Sequence, residues 1–238
     1  MHRLRLFSIV ILGLLVFAGG CSTGSASSSS SKPTAASVLT AAGDRWAATD
    51  TAHFKLTVEG DAFIDSAQSI KLLSAEGDLK RPDAVKADAR IDIQITKANI
   101  SLIAIGDKTW MTNFISGKWE VAPADFSYNP AVVFDEKNGI KPILANLQGA
   151  ALGKDDSVGG RDTRVITGTV DQNAVSQVTS GSIQGDVISV TLWVDAGTND
   201  LLRVSLKEPE GARKNPVAWT LDLSKQGEAV DIQPPPTS

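Results

Sequence analysis

The residues of this chain that could carry out nucleophilic or acid–base chemistry are few. Beyond position 2 the sequence contains a single histidine, His53, so a Ser-His-Asp triad would have to use that residue. No G-x-S-x-G elbow, which would hold a nucleophilic serine on a sharp turn, occurs in the sequence. His53 also begins an expected strand beside Phe54, where a structural role is the simpler interpretation. The sequence therefore favours a protein without a nucleophilic triad.

Two pairs of neighbouring acids offer a second kind of chemistry, because glycosidases work with two carboxylates. The pairs are Asp135-Glu136 and Asp155-Asp156, and both lie in polar, turn-like stretches that are typical of solvated charge. One cysteine and two histidines are too few for a zinc site. The isolated pair Gly159-Gly160 suits a hairpin turn better than a phosphate loop. We therefore expect no enzyme activity, no cofactor and no metal.

The only cysteine, Cys21, follows a segment with the layout of a secretory signal peptide. Arg3 and Arg5 precede about a dozen apolar residues, and small residues occupy 18–20. The apolar run is too short for a membrane-spanning helix. Small residues directly before a cysteine resemble the bacterial lipobox, although alanine replaces the usual leucine three positions before it. The resemblance implies that residues 1–20 are removed and that Cys21 carries a diacylglyceryl anchor. The alternative is a plain signal peptide with an incidental cysteine.

Composition limits what the rest of the chain can bind. Removal of residues 1–20 takes away two arginines and leaves 21 basic against 27 acidic side chains, a net charge of −6. No basic run is present, so nucleic acid is not an expected partner. Residues 21–33 form a Ser-rich, flexible tether, and residues 34–238 are expected to form one domain. The anchor would hold this domain on the outer face of the cell membrane.

Alternation of apolar and polar residues dominates the expected domain. In the segment 85–96 every second residue from Val85 to Ile95 is apolar, and the residues between them are polar. A period of two over this length predicts a strand in an antiparallel sheet with one dry and one wet face. Further strands joined by short turns are expected between residues 52 and 113 and again from 161 to 223.

Helices are expected in three places. Residues 33–49 carry apolar side chains at three- and four-residue steps, and 171–178 is expected to be helical with Asp171 as its cap. Prolines and a glycine between apolar groups in 123–147 indicate two short helices, which would bury their apolar side on the dry face of the sheet. The fold class is therefore α+β, and the tail from Gln233 onward is expected to fray.

Several short stretches, taken in order, resemble one protein family. Besides the lipobox they are SAEGDL at 74–79, RP at 81–82, NP at 129–130, GI at 139–140, LAN at 144–146, VGG at 158–160, ITGTV at 166–170, LWVD at 192–195 and VDIQPP at 230–235. Together they resemble the LppX/LprAFG lipoproteins of mycobacteria and their relatives. The resemblance covers nearly all of the mature domain. It implies a strongly curved antiparallel half-barrel, similar to LolA/LolB-type carriers, with helices on its concave face. It also implies an apolar cavity for an acylated lipid or lipoglycan, transfer of that ligand across the cell envelope, and a membrane transporter as a candidate partner.

The residue pattern itself leaves alternatives open. A one-sided sheet and a helical insertion can close on a solid core or enclose a cavity, because both use the same aliphatic side chains. The five tryptophans are interpreted as core or rim packing. If a cavity exists, the candidate lining residues lie on the dry strand faces and in the insertion: Ala89, Ile91, Ile93, Ile95, Ile103, Ile143, Leu144 and Leu192. A second hypothesis is a tethered, non-catalytic binding or scaffold module that recognises a glycan or a partner protein on its polar face.

Overall fold

The computed structural model describes residues 32–65, 67–123 and 129–236. The described residues from Pro33 onward form one compact unit. Cys21, the expected signal peptide at 1–20 and the tether through residue 31 lie outside the described residues. Within those that are described, no helix has both the length and the apolar character that crossing a membrane requires.

Twelve strands of the described chain form one antiparallel sheet. They are β1 (Thr51–Glu59), β2 (Lys71–Lys80), β3 (Ala84–Asp92), β4 (Lys97–Ile105), β5 (Lys108–Thr112), β6 (Trp119–Val121), β7 (Gln148–Leu152), β8 (Asp156–Val158), β9 (Arg161–Asp171), β10 (Val187–Asp195), β11 (Leu201–Lys207) and β12 (Ala218–Ser224). Their order across the sheet is β6-β5-β4-β3-β2-β1-β12-β11-β10-β9-β7, and β8 pairs with β9.

Two meanders meet where β1 pairs with β12. Strands β1 to β6 follow one another on one side of this junction, and β12 back to β9 follow on the other side. The junction runs in register from His53 opposite Ser224 to Glu59 opposite Ala218. The sheet is open, because β6 and β7 lie at opposite edges.

Within the described ranges, four helical elements form a layer on one face of the sheet, called the helical layer below. They are α1 (Ala35–Ala47), a 3₁₀ helix (Pro130–Phe134), α2 (Ile140–Ala145) and α3 (Gln172–Ser176). Thr34 caps α1, because its hydroxyl accepts from the Ser37 amide at 3.1 Å while the Ser37 hydroxyl accepts from the Thr34 amide at 3.0 Å. The buried sides of these elements join the inner face of the sheet in one apolar cluster. The expected α+β half-barrel with helices on its concave face is confirmed.

A second, smaller apolar cluster lies on the outer face of β3 and β4, where the C-terminal tail crosses the sheet. Ile232 packs there against Ala84 and Ile103 and is 7% exposed. The tail is fixed at its start by a hydrogen bond of 2.7 Å from the Thr51 hydroxyl to the Glu228 carbonyl. Pro235 is buried as well. The prediction of a frayed tail from Gln233 onward is therefore wrong as far as Pro235, because the outer face offers this segment an apolar surface.

Candidate functional site: an apolar cavity under the helical layer

An apolar cavity of about 60 Å³ lies between the inner face of the sheet and the helical layer. Its lining consists of Phe54, Leu56, Leu79, Pro130, Val133, Ile140, Ile143, Val178, Thr179, Val204, Leu206, Trp219 and Leu221. None of these residues is charged. The hydroxyl of Thr179 and the indole nitrogen of Trp219 are the polar side-chain atoms that they contribute.

Strands from both meanders build the sheet side of the cavity. Leu56 of β1 lies opposite Leu221 of β12, which in turn lies opposite Val204 of β11. Leu206 of β11 lies opposite Trp219 of β12. Because alternate strand residues point to the same face, these cross-strand neighbours form a continuous apolar wall. The wall exists only because β1 and β12 pair.

The helical side of the cavity comes from the segment between β6 and β7. The 3₁₀ helix and α2 contribute Pro130, Val133, Ile140 and Ile143. Asn129 begins this segment, since its Oδ1 accepts from the Ala131 amide at 2.9 Å and its Nδ2 donates to the Asp83 carbonyl at 2.9 Å. Gly139 connects the two helices at a crowded point, where a Cβ atom would lie 2.5 Å from the Asp135 carbonyl oxygen. Two short, tightly linked helices therefore close the cavity.

Arg81, in the turn between β2 and β3, fastens this segment and α1 to the sheet. Its Nε donates to the Thr49 carbonyl at 2.8 Å, and its Nη1 and Nη2 donate to the carbonyls of Phe134 and Trp46 at 3.0 and 3.2 Å. Burial lowers the pKa of Arg81, against the attraction of nearby carboxylates. The indole nitrogen of Trp46 donates to the Val133 carbonyl at 3.0 Å. The helical layer is thus held at one end by directional hydrogen bonds.

An ion-pair network fixes α1 at the same end of the sheet. Asp200 accepts from Arg45 Nε at 2.6 Å and from Arg161 Nη2 at 2.8 Å, and Asp195 accepts from Arg161 Nε at 2.8 Å. Both carboxylates are about nine-tenths buried. Burial acts to raise the pKa of each, but the hydrogen bonds outweigh it and hold both pKa values below the usual range. Arg161 and Arg45 donate to Asp200, and the Thr198 amide is a principal donor to Asp195.

At the opposite end, a buried carboxylate orders the loops beside the cavity. The Glu208 side chain is fully buried and accepts from the Gln184 and Val217 amides at 2.7 and 2.8 Å. Arg213 Nη2 donates to Glu208 at 2.6 Å and to the Ser182 carbonyl at 3.1 Å. Because every partner lies in the connections between α3 and β10 or between β11 and β12, this network joins those two loops.

The cavity is small for a ligand site. Sites for organic ligands usually measure roughly 300–1,000 Å³, whereas this one measures about 60 Å³. Most of the inner face is therefore filled by side chains. Of the two alternatives, a solid core or a cavity, the structure lies nearer the first: the core is packed and retains only a small apolar space.

The predicted lining residues divide into three groups. Ile143 of α2 lines the cavity. Five others belong to the same core cluster without lining the cavity in this structure: Ala89, Ile91, Ile93, Leu144 and Leu192. Ile91 and Leu192 are fully buried, whereas Ala89 and Ile93 are half-buried. These residues share the inner face on which the cavity lies.

The last two, Ile95 and Ile103, lie elsewhere. Ile95 is 90% exposed, because β3 ends at Asp92 and the chain turns at Gln94, which has a φ of +69°. The alternation of apolar residues continues through this turn and so extends the apparent strand. Ile103 lies opposite Lys86 in the sheet and is buried in the outer cluster. Neither residue shares the inner face.

Sequence reasoning missed the whole sheet side of the cavity. The missed residues are Phe54, Leu56, Leu79, Val204, Leu206, Trp219 and Leu221. The alternation of apolar and polar residues around them was sufficient to place them on strands. Only the pairing of β1 with β12 brings the two groups of strands together. Trp219 was among the tryptophans assigned to packing, and its sequence context gives no signal of a cavity.

The candidate catalytic residues do not assemble into a site. His53 lies on the outer face, where its Nδ1 is 2.8 Å from Asp78 Oδ1 and its Nε2 is 3.4 Å from Glu76 Oε1. Asp156 accepts a hydrogen bond of 3.1 Å from Trp193 Nε1. In the ranges that the structure describes, no cluster of three or more His, Cys, Asp or Glu side chains is arranged to hold a metal ion.

The described residues thus form an open antiparallel sheet with a helical layer on one face and a small apolar cavity between the two. The chain belongs to the LppX_LprAFG lipoprotein family, whose model matches residues 34–232. This is a family of lipoproteins rather than of enzymes, in agreement with the expectation from the sequence. The resemblance drawn from the short motifs is thereby confirmed.

Similar proteins come from mycobacteria and their relatives. The lipoarabinomannan carrier protein LprG of Mycobacterium bovis (strain BCG) is 29% identical over 240 residues, covering 100% of this chain and 97% of that protein. The protein of the same name from Mycolicibacterium hassiacum is 24% identical over 98% of both chains. The crystal structure of LprF from M. bovis superposes with a TM-score of 0.65 at 18% identity, over 84% of this chain and 96% of LprF. LppX from Mycobacterium tuberculosis gives a TM-score of 0.61 at 17% identity, over 84% and 98%. The two structures share the fold.

Proposed function

We propose that this protein is a membrane-anchored envelope lipoprotein that binds an acylated lipid or lipoglycan under its helical layer and helps to transfer it across the envelope. The observation that carries the proposal is the uncharged, apolar cavity between the sheet and the two short helices. The relatives named lipoarabinomannan carriers support a ligand of this class.

Binding an acyl chain requires the cavity to enlarge. The 3₁₀ helix has five residues and α2 has six, so each can shift as a small unit. The open sheet allows such a shift without loss of strand pairing. In the enlarged cavity, Ile143 would be joined by the inner-face residues Ala89, Ile91, Ile93, Leu144 and Leu192.

The physical benefit of such a carrier is the shielding of hydrocarbon from water. Each exposed methylene costs about 0.8 kcal/mol, so a sixteen-carbon chain that crosses water unprotected faces on the order of 12 kcal/mol. A protein that covers the chain lowers this barrier without any catalytic group. The lack of a catalytic constellation among the described residues is consistent with this role.

A lipid anchor at Cys21 would keep the carrier at the membrane, because two or three acyl chains bind a bilayer far more firmly than one. The tether would let the domain reorient, and a membrane transporter would be a suitable partner for loading or release. The Cys21→Ser variant should therefore appear in the soluble fraction or as an unprocessed precursor. Membrane retention of a mature-sized, unacylated Cys21→Ser protein would contradict this part of the proposal.

The carrier function is tested by ligand extraction. The full chain with Cys21→Ser, which removes the acyl anchor as a source of lipid, is purified from its native host and extracted with organic solvent. Mass spectrometry should find acylated lipid in stoichiometric amount, and the emptied protein should bind a fluorescent palmitoyl lipid. If no lipid is extracted and the probe does not bind, the carrier assignment is wrong.

A cavity-filling variant locates the site. Val204 lines the cavity and is 6% exposed. Val204→Phe should lower the affinity for the palmitoyl probe at least tenfold and leave the urea midpoint unchanged, because the added ring occupies existing space. In a core without usable space, Val204→Phe would instead lower the free energy of unfolding by about 1–3 kcal/mol. The matched control is Val187→Phe at a half-exposed position of β10, which should alter neither quantity.

A further inference from the structure

Trp219 differs from Trp46 and Trp193 in the way its indole N–H is used. The residue lines the cavity and is 6% exposed, and its Nε1 is buried without a hydrogen-bond partner among the described residues. By contrast, Trp46 Nε1 donates to the Val133 carbonyl and Trp193 Nε1 donates to Asp156. An indole N–H can only donate, and buried donors in folded proteins nearly always find an acceptor. The orphaned donor therefore calls for an explanation.

The immediate surroundings of Trp219 supply little that could accept this hydrogen bond. Its cross-strand neighbours are Val58 on β1 and Leu206 on β11, whose side chains are hydrocarbon. The lining contains one hydroxyl, that of Thr179, which donates to the Val175 carbonyl at 2.9 Å and does not accept from Trp219 Nε1. An acceptor brought in by a ligand would satisfy the indole.

We propose that Trp219 is a specificity-determining residue of this cavity, and that its Nε1 donates a hydrogen bond to an ester carbonyl oxygen of the bound acylated lipid. This inference rests on the proposed carrier function and specifies the chemistry of its ligand. An ester carbonyl has acceptor capacity and no donor, which matches an unpaired buried donor in the lining residue Trp219 among otherwise mostly hydrocarbon side chains. A free fatty acid would bring a carboxylate, and the lining holds no cation to pair with it.

The position of Trp219 gives the ligand an orientation. On β12 the residue follows Val217 by two positions, and the Val217 amide donates to the buried Glu208 carboxylate. The polar loops held by Glu208 thus lie beside Trp219, whereas Leu79 and Val133 line the cavity near the Arg81 end. The ester carbonyl would lie at the Trp219 end, with the acyl chain directed along the hydrocarbon wall toward Leu79.

The test compares two probes that differ only in the carbonyl groups: 1,2-dipalmitoylglycerol, which is an ester, and 1,2-di-O-hexadecylglycerol, which is the corresponding ether. Each competes with a fluorescent palmitoyl lipid for the full chain carrying Cys21→Ser. The parent protein should bind the ester about tenfold more tightly than the ether, since one neutral hydrogen bond contributes about this much. Trp219→Phe keeps a ring and removes the donor, so it should reduce the preference to less than twofold.

The matched control is Trp46→Phe, because that indole already donates within the protein. Both variants should lower the urea midpoint, because each replaces a buried ring by a smaller one, but Trp46→Phe should keep the ester preference and Trp219→Phe should lose it. A second measurement does not depend on any variant. The indole N–H resonance of Trp219 should move downfield when the ester binds, and by much less when the ether binds.

The outcomes separate the two proposals. If the parent protein binds neither probe, the carrier function itself is wrong. If it binds both probes equally, or if Trp219→Phe retains the ester preference, the assignment of the ester to Trp219 is overturned while the carrier function stands.

Discussion

The ring of Trp46 stacks on the ring of Phe134, with the centroids 4.9 Å apart and an angle of 20° between the planes. The Arg81 guanidinium lies 4.5 Å from the centroid of the same Phe134 ring. Three elements that are distant in sequence, α1, the 3₁₀ helix and the β2–β3 turn, thus meet at one aromatic pair. This contact anchors the helical layer at one end of the cavity. An enlargement of the cavity that keeps the Trp46–Phe134 stack must therefore move the helices at the other end.

Arg81 should be the most sensitive position of this anchor. Arg81→Ala removes the donor for three backbone carbonyls and should lower the free energy of unfolding by about 2–3 kcal/mol. Arg81→Lys should rescue little of it, because an ammonium cannot reproduce the planar guanidinium fork. Urea denaturation measures both variants. The adjacent, exposed Lys80 provides the control, and Lys80→Ala should change stability by less than about 0.5 kcal/mol. Equal stability of Arg81→Ala and Lys80→Ala would argue against the anchor.

Two glycines should respond to alanine in opposite directions. At Gly77 in β2 a Cβ atom would lie 2.1 Å from the Lys86 carbonyl oxygen, so Gly77→Ala must displace backbone and should destabilise by about 1–3 kcal/mol or more. At Gly43 in α1 the nearest atom would be Lys141 Cγ at 3.7 Å, an ordinary contact. Gly43→Ala should therefore stabilise by up to about 1 kcal/mol through helix propensity. Thermal melts measure the stability of both variants relative to the parent protein. A Gly77→Ala protein as stable as the parent would refute the close approach of β2 and β3.

The network of Asp195 and Asp200 predicts a stability loss in acid. Because the pKa of each carboxylate is lower in the folded protein than in the unfolded chain, the folded state binds fewer protons. The contribution to stability is complete above the ordinary pKa of about 3.8 and is lost as the pH falls through the depressed folded pKa values. The urea midpoint of the parent protein should decrease as the pH is lowered from 6 to 2. In the Asp200→Asn variant this decrease should be smaller. The exposed Asp155, for which no hydrogen bond or ion pair to the described residues is seen, supplies the control for loss of a carboxylate: Asp155→Asn should leave the urea midpoint at pH 6 unchanged.

The C-terminal tail should contribute measurably to stability. Ile232 is 7% exposed in the outer cluster, so Ile232→Ala should cost about 2–4 kcal/mol, as for other buried isoleucines. Gln233 is exposed, and Gln233→Ala should be neutral by comparison. Chemical denaturation compares the two variants. Equal midpoints for them would show that the tail does not pack on β3 and β4.

Local patterns predicted most of the fold because the period of two is a direct consequence of strand geometry. The segment 85–96 illustrates both the success and its limit. Its alternation correctly placed Ile91 on the inner face, yet it continued past Asp92, where the backbone turns. Nothing in side-chain polarity distinguishes an apolar residue at a turn, such as Ile95, from one on a strand.

The cavity could be predicted less well, because its walls come from pairings between remote segments. Phe54 and Trp219 both line it, although more than 160 positions separate them in the chain. The same limit applies to the outer face, where Ile103 is buried by Ile232 of the tail. Alternation identifies which residues share a face within one strand, but the partner of that face is a tertiary property.

The pairing of β1 with β12 also has a consequence for biosynthesis. Among the strands that the structure describes, β12 leaves the ribosome after the other eleven, yet it fills the place between β1 and β11 near the middle of the sheet. Until residues 218–224 are available, both neighbouring strands expose a free edge, and such edges promote association between nascent chains. A product that terminates before residue 218 would therefore retain two separate half-sheets with unpaired strand edges. Such a product should aggregate or be degraded and should not accumulate as a shortened native protein.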